Sequence, residues 1–147
     1  MGEMIDTRII NLVRMNQDSL VGLESATGYW GLSTYCSTMP HYLYKLDIEN
    51  GYKEVDLPTA VYLFSSSVNL ENVVYLSEKF RITDMEQTIC DMIRFDRQEF
   101  HLFETVISAF EDSRVNKERL NTLAEEYGIR DRLNKIYIEA IRYEDEG

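Results

Sequence analysis

Glu24, Ser25, Thr88 and Asp91 are the residues of this chain whose types and spacing could do chemistry together. Thr88 and Asp91 fall one turn apart on a predicted helix, so a hydroxyl and a carboxylate would share one face, with Glu24 and Ser25 arriving from a separate motif. Such a set could present itself to a ligand or partner. It could equally knit two helices and a sheet together, Asp91 pairing with Arg81 or Arg94 and Thr88 bonding a backbone carbonyl. The second use is favoured, because motif residues beside glycines and helix caps more often hold a fold than act. The four remain the binding candidates.

Other chemistries find less. A zinc site needs three or four well-spaced ligands, and His41, His101, Cys36 and Cys90 contain no close pair. No Gly-x-Ser-x-Gly elbow supports nucleophilic catalysis, and His101 sits in a predicted helix among phenylalanines. There is no glycine-rich loop ending in Lys to cradle a phosphate. No metal or other cofactor is expected, and the chain is read as non-enzymatic.

The elements that must position these residues follow from periodicity and punctuation. Met4 to Asn16 reads as a helix with Ile5, Ile9, Leu12 and Val13 on one face and Arg8, Asn11 and Arg14 on the other, a solvated polar face rather than a DNA-reading one. Glu24 to Thr34 reads as a short second helix, its small residues Ser25, Ala26, Gly28 and Gly31 allowing close packing. From His41 to Ile48 the period changes to two, which predicts a half-buried strand with Tyr42, Tyr44, Leu46 and Ile48 facing inward. Asn50-Gly51 supplies a turn, so Tyr52 to Leu57 is expected to be its hairpin partner, closed by Pro58. Ala60 to Ser66, Val73 to Leu76 and Phe80 to Thr83 complete about four or five strands.

At Arg81 to Arg94 an extended run breaks into a helix, and Thr83-x-x-Glu86 reads as a capping box that fixes its start. Met85, Ile89, Met92 and Ile93 form its apolar stripe, and Asp84, Gln87, Thr88 and Asp91 its polar set. Three further helices are expected, marked by Phe100, Phe103, Ile107 and Phe110; by Leu120, Leu123, Ala124 and Tyr127 between an Asn116 cap and a Gly128 stop; and by Leu133, Ile136, Tyr137, Ala140 and Ile141. The expected fold is α+β: a small mixed sheet with N-terminal helices and a C-terminal helical bundle packed on it. All 147 residues are read as one domain, with a helical extension over 1–19, helix, sheet and motif helix over 20–95, and helices over 96–147.

Asp84-Met-Glu-Gln-Thr-Ile-Cys-Asp91 resembles the Asp-Leu-Glu-Arg-Thr-Ile-Cys-Asp motif in the C-terminal domain of AbiEi-type antitoxins, the antitoxin half of type IV abortive-infection toxin–antitoxin systems. Upstream, Glu24-Ser-Ala26 and Gly31-Leu-Ser33 resemble that domain's Ser-His-Glu-Thr-Ala…His-Gly-Leu-Thr helix, in the same order and at similar spacing. The resemblance runs from about Leu20 to Tyr143. Gln87 stands where the family usually carries Arg, Leu23 where it carries His, and Ile48-Glu-Asn-Gly51 where a Pro-Arg-Gly turn is expected; each change removes positive or titratable character. The resemblance implies a protein that counteracts a nucleotidyltransferase-like toxin in phage defence, with no stable complex between the two. Family members carry a winged helix-turn-helix ahead of this domain, for which too few residues precede the match, so the DNA-reading head is expected to be absent.

The toxins' own chemistry would need a Gly-Ser pair and two carboxylates one residue apart on a strand to hold magnesium. The chain has no Gly-Ser dipeptide, Asp47-x-Glu49 runs into a turn, and Asp84-x-Glu86 is accounted for by helix capping. Fifteen Lys and Arg against 26 Asp and Glu give a net charge of −11, which repels phosphate backbones, so no direct nucleic-acid binding is expected. No leader or membrane span is read in the sequence, and with two cysteines and no repeating spacing the protein is read as cytoplasmic and free of disulfides. Tyr29, Trp30, Tyr35, Tyr42 and Tyr44 fit a contact surface and a tyrosine-rich core edge equally well. Two alternatives stand beside the antitoxin reading. One is an interaction or transcription-regulatory module that self-associates without binding DNA itself; the other is a magnesium-dependent enzyme on nucleotides or nucleic acid.

Overall fold

Strand β1 (Ser19–Val21) runs into Gly22 and helix α1 (Leu23–Trp30), followed by β2 (His41–Lys45), β3 (Tyr52–Asp56), β4 (Ala60–Phe64), a 3-10 turn at Leu70–Asn72, β5 (Val73–Ser77) and β6 (Phe80–Thr83). Four helices complete the chain: α2 (Met85–Arg94), α3 (Glu99–Glu111), α4 (Lys117–Glu126) and α5 (Arg130–Glu146). The computed structural model describes residues 19–35, 41–45, 52–56, 60–64, 70–77 and 80–146. The expected first helix at Met4 to Asn16, together with Cys36, Asp47, Glu49 and the Asn50-Gly51 turn, lies outside them. The fold is α+β with a small mixed sheet.

The described strands form one six-stranded sheet in the order β3-β4-β2-β1-β6-β5. One strand more than expected is present, and it is β1, which sits at the sheet centre between β2 and β6, antiparallel to the first and parallel to the second. Three residues are too few to show an alternation, so its strand character comes from its neighbours on both edges rather than from its own pattern. The expected hairpin between β2 and β3 is overturned. β3 pairs antiparallel with β4, from Tyr52 opposite Phe64 to Asp56 opposite Ala60, while β2 runs parallel to β4. Both edges of β2 are taken by β1 and β4, so the chain passes beyond β4 before returning beside it; turn chemistry marks a reversal but does not choose the partner.

The expectation of a half-buried β2 is also corrected, because Tyr42, Leu43 and Tyr44 are all buried. Central position covers both faces of the strand, and alternation between them no longer means inside and outside. Tyr35, Tyr42 and Tyr44 thereby belong to the core, whereas Tyr29 and Trp30, edge to face at 4.9 Å, lie at its margin.

Helix α1 ends where Gly31 adopts φ 75°, a left-handed value that glycine takes without strain, and the Leu32 amide returns to the Thr27 carbonyl at 2.8 Å. Helix α2 packs against α1, α3 and α4, and α3 packs against α5. The apolar stripe assigned to α3 is displaced by the structure. Leu102, Val106 and Ala109 face the core with His101 and Thr105, while Phe100 and Phe110 are exposed and Phe103 and Ile107 half-buried. Phe110 stacks on Tyr137 with ring centres 4.0 Å apart, and Phe103 meets Tyr143 edge-on at 5.7 Å, so these aromatic rings cover the α3–α5 seam from outside. Helix α4 follows its expected signals: the Asn116 side chain accepts the Arg119 amide at 3.0 Å, and Gly128 has φ 68°. No helix of the described residues is long and apolar enough to cross a membrane.

Candidate functional site

The polar set of α2 starts at its cap. Asp84, not Thr83, is the N-cap, its carboxylate accepting the Gln87 amide at 2.9 Å, so the expected Thr83-x-x-Glu86 box is not formed. A carboxylate competes well for this place because it also meets the positive end of the helix dipole. Freed from capping, Thr83 shares a hydrogen bond with Thr88 at 2.6 Å, and the Thr88 hydroxyl lies within bonding distance of the Thr83 and Asp84 carbonyls at 3.2 and 2.6 Å. Glu86 turns toward α4, where it accepts from the Arg119 guanidinium and, at 3.2 Å, from the Asn116 amide. Arg119 also donates to Asp84 at 2.8 Å and to Asn72 at 2.6 Å. Burial alone would weaken its charged form, but the bonds to Asp84 and Glu86 outweigh that and raise its pKa above the usual guanidinium value.

One turn further, Asp91 is 1% exposed. Its carboxylate accepts from the Tyr44 hydroxyl at 2.7 Å, the Gln87 amide at 2.8 Å and Arg94 at 2.7 Å. Desolvation pushes its pKa above the ordinary carboxylate range, although Tyr44, Arg94 and Gln87 all pull the other way. Burial, followed by the charge of Asp91, raises the Tyr44 phenol well above its usual value. Gln87 completes the chain of bonds, its carbonyl oxygen accepting from Asn72 at 2.9 Å and Tyr127 at 3.1 Å. Cys90 beside Asp91 is buried, and its thiol is pushed up to about 12, chiefly by desolvation, so it is a packing residue and not an activated nucleophile.

Glu24 and Ser25 lie on α1, against the other side of the same core. The Ser25 hydroxyl accepts the Tyr42 amide at 2.8 Å and so ties α1 to β2. Glu24 is fully buried and accepts from Arg97 Nε at 2.8 Å, while its second carboxylate oxygen, also buried, has no hydrogen-bond partner. Leaving such an oxygen unsatisfied costs about 1–3 kcal/mol, and more when the group is charged. Arg97 in turn lies over the Tyr42 ring, 4.7 Å from its centre. Leu23 and Asp96, the residues immediately before Glu24 and Arg97, both have positive φ, 52° and 53°. Asp tolerates this region, but for a buried Leu it costs on the order of 1 kcal/mol. The backbone is thus bent unfavourably just ahead of Glu24, one member of the ion pair.

The four candidates therefore do not share one cluster. Thr88 and Asp91 lie in the α2 network with Tyr44, and Glu24 pairs with Arg97; Ser25 is a tie to the backbone of β2. Of the two expected pairings for Asp91, Arg94 forms an ion pair. Arg97, Arg119, Asn72 and Tyr44 were not singled out from sequence as site residues. Arg97 and Glu24 are separated by 73 positions, and Arg119 and Asp84 by 35, so no local spacing announces either pair. His101 is buried, 3.2 Å from Glu104, and edge-on to Tyr35. No group of three or more His, Cys, Asp or Glu among the described residues is arranged to hold a metal ion. A scan against protein-family models matches none, and no curated protein matches the chain.

Proposed function

We propose that this chain is a non-enzymatic, antitoxin-like protein that counteracts a nucleotidyltransferase-like toxin in abortive infection, acting without a stable complex. One observation supports the reading above others. The two blocks that resemble the AbiEi-type antitoxin domain, far apart in the chain, lie on α1 with the turn that ends it and on α2, and the two helices pack on each other. A shared motif pair that meets in space is what a common domain requires, whereas two chance matches have no reason to be neighbours. The non-enzymatic part draws on the same residues: Asp84, Glu86 and Asp91 are each occupied by a cap, an arginine or a tyrosine, which leaves them poorly disposed to bind magnesium or move protons.

Growth rescue tests the proposal. A nucleotidyltransferase-like gene adjacent to this one is expressed alone and then with this chain, and colony recovery is scored. Toxicity relieved by the intact chain is the expected result. Toxicity unrelieved by soluble protein would remove the antitoxin reading in favour of an interaction module. Size-exclusion chromatography of the mixed proteins is expected to show two separate peaks, and co-elution would contradict the absence of a stable complex.

A further inference from the structure

The α2–α3 junction and α5 border an open cleft of about 410 Å³, large enough for a small molecule. Its lining includes Arg97, Arg132 and Lys135, three cations in a chain whose net charge is −11. Arg97 is held by the buried Glu24 carboxylate and the Tyr42 ring, so its charge is fixed in place before any ligand arrives. Arg132 is likewise oriented, donating to the Ile93 carbonyl at 2.9 Å and lying 3.6 Å from Asp96. Lys135 follows Arg132 by three residues on α5, so both project from one side of the helix.

Phe103 and Ile136 supply an apolar wall, and Asp96, Glu99 and Glu139 bring three carboxylates to the same cleft, Asp96 beside Arg132. A bare anion would meet those carboxylates as repulsion. A ligand that joins an anionic group to a flat ring with N–H donors on its edge satisfies all three parts of the lining. We propose that this cleft binds a nucleoside monophosphate or a ligand of that chemistry, its phosphoryl group at Arg132 and Lys135 within the field of Arg97, its ring on Phe103 and Ile136, and its donor edge toward Glu99 and Glu139. The site does not depend on the antitoxin reading, and rescue of growth and binding in the cleft fail independently.

Calorimetric titration of the intact chain with AMP, inorganic phosphate and adenosine at low salt tests the site. AMP is expected to bind saturably, at least about tenfold more tightly than either fragment, as two joined groups should. Lys135→Glu should weaken AMP binding by about tenfold or more, the scale of a charge-assisted contact turned repulsive, with the melting temperature little changed because Lys135 is exposed. Arg132→Gln should weaken it comparably. No saturable AMP binding, phosphate or adenosine binding as tightly as AMP, or AMP affinity unchanged in both variants would each overturn the proposal.

Discussion

Asp91 is a buried carboxylate whose surroundings are insufficient to offset its desolvation. Three donors reach it, yet burial still raises its pKa above the ordinary value of 3.8. A carboxylate with a raised folded-state pKa contributes stability fully below its unfolded value, and that contribution is lost as pH rises through the folded value. Asp91→Asn removes the titration while keeping the shape. The variant should be less stable than the parent by about 1–2 kcal/mol near pH 4, because the carboxamide nitrogen, which can only donate, reverses one Tyr44 or Gln87 bond. The gap should narrow as pH rises from there toward 7, because only the parent has a buried carboxyl whose ionisation is opposed by desolvation. Thermal melts of both proteins across that range check this, and a gap independent of pH would remove Asp91 as the titrating residue.

At the scale of elements, the connection from β1 to α1 is held by what Gly22 lacks. A Cβ there would stand 2.2 Å from Cε2 and 2.5 Å from Cδ2 of the fully buried Tyr44 ring, which is 0% exposed. The backbone angle of Gly22 is an extended φ of −150°, so the demand is for space and not for a left-handed turn. Gly22→Ala should therefore displace Tyr44 from Asp91 and destabilise by about 2–3 kcal/mol, the scale of an overpacked core with a broken buried bond. Denaturant unfolding measures the loss, and a change below about 0.5 kcal/mol would mean that the ring moves aside freely. The same junction shows why α1 begins where it does: its first residue, Leu23, takes φ 52° so that the chain can leave the sheet and bring Glu24 into the core.

Across the whole molecule, Arg119 joins the C-terminal helices to the motif helix and to the turn before β5. It bonds Asp84, Glu86 and Asn72 while being itself one-third exposed, 33% by side-chain area. Partial exposure limits the worth of each ion pair, but two carboxylates and an amide depend on this one group. Arg119→Ala should cost about 2 kcal/mol, or a fall of roughly 4–8 °C in melting temperature for a chain of this size. Arg119→Lys should recover little, since one ammonium cannot reproduce the planar fork that spans Asp84 and Glu86. Equal melting temperatures for the parent and Arg119→Ala would show that the network adds no net stability.

The sequence by itself determined the fold class, most element positions and several helix ends. Apolar periodicity, Asn116 and Gly128 are local signals, and local signals decide local conformation, although Gly31, read as lying inside a helix to Thr34, in fact ends α1 at Trp30. It also favoured a structural use for Thr88 and Asp91 while keeping them as binding candidates, and it offered Arg94 as a partner of Asp91, a neighbour on the same helix. Only the tertiary structure decided which strand lies beside which, that Ser19–Val21 is a strand at all, and which face of α3 is buried. It alone joined Glu24 to Arg97 and Asp84 to Arg119. These outcomes depend on groups brought together from distant positions, where burial removes water and leaves each polar atom to find whatever partner the fold supplies; the pattern of a single segment carries no record of that partner.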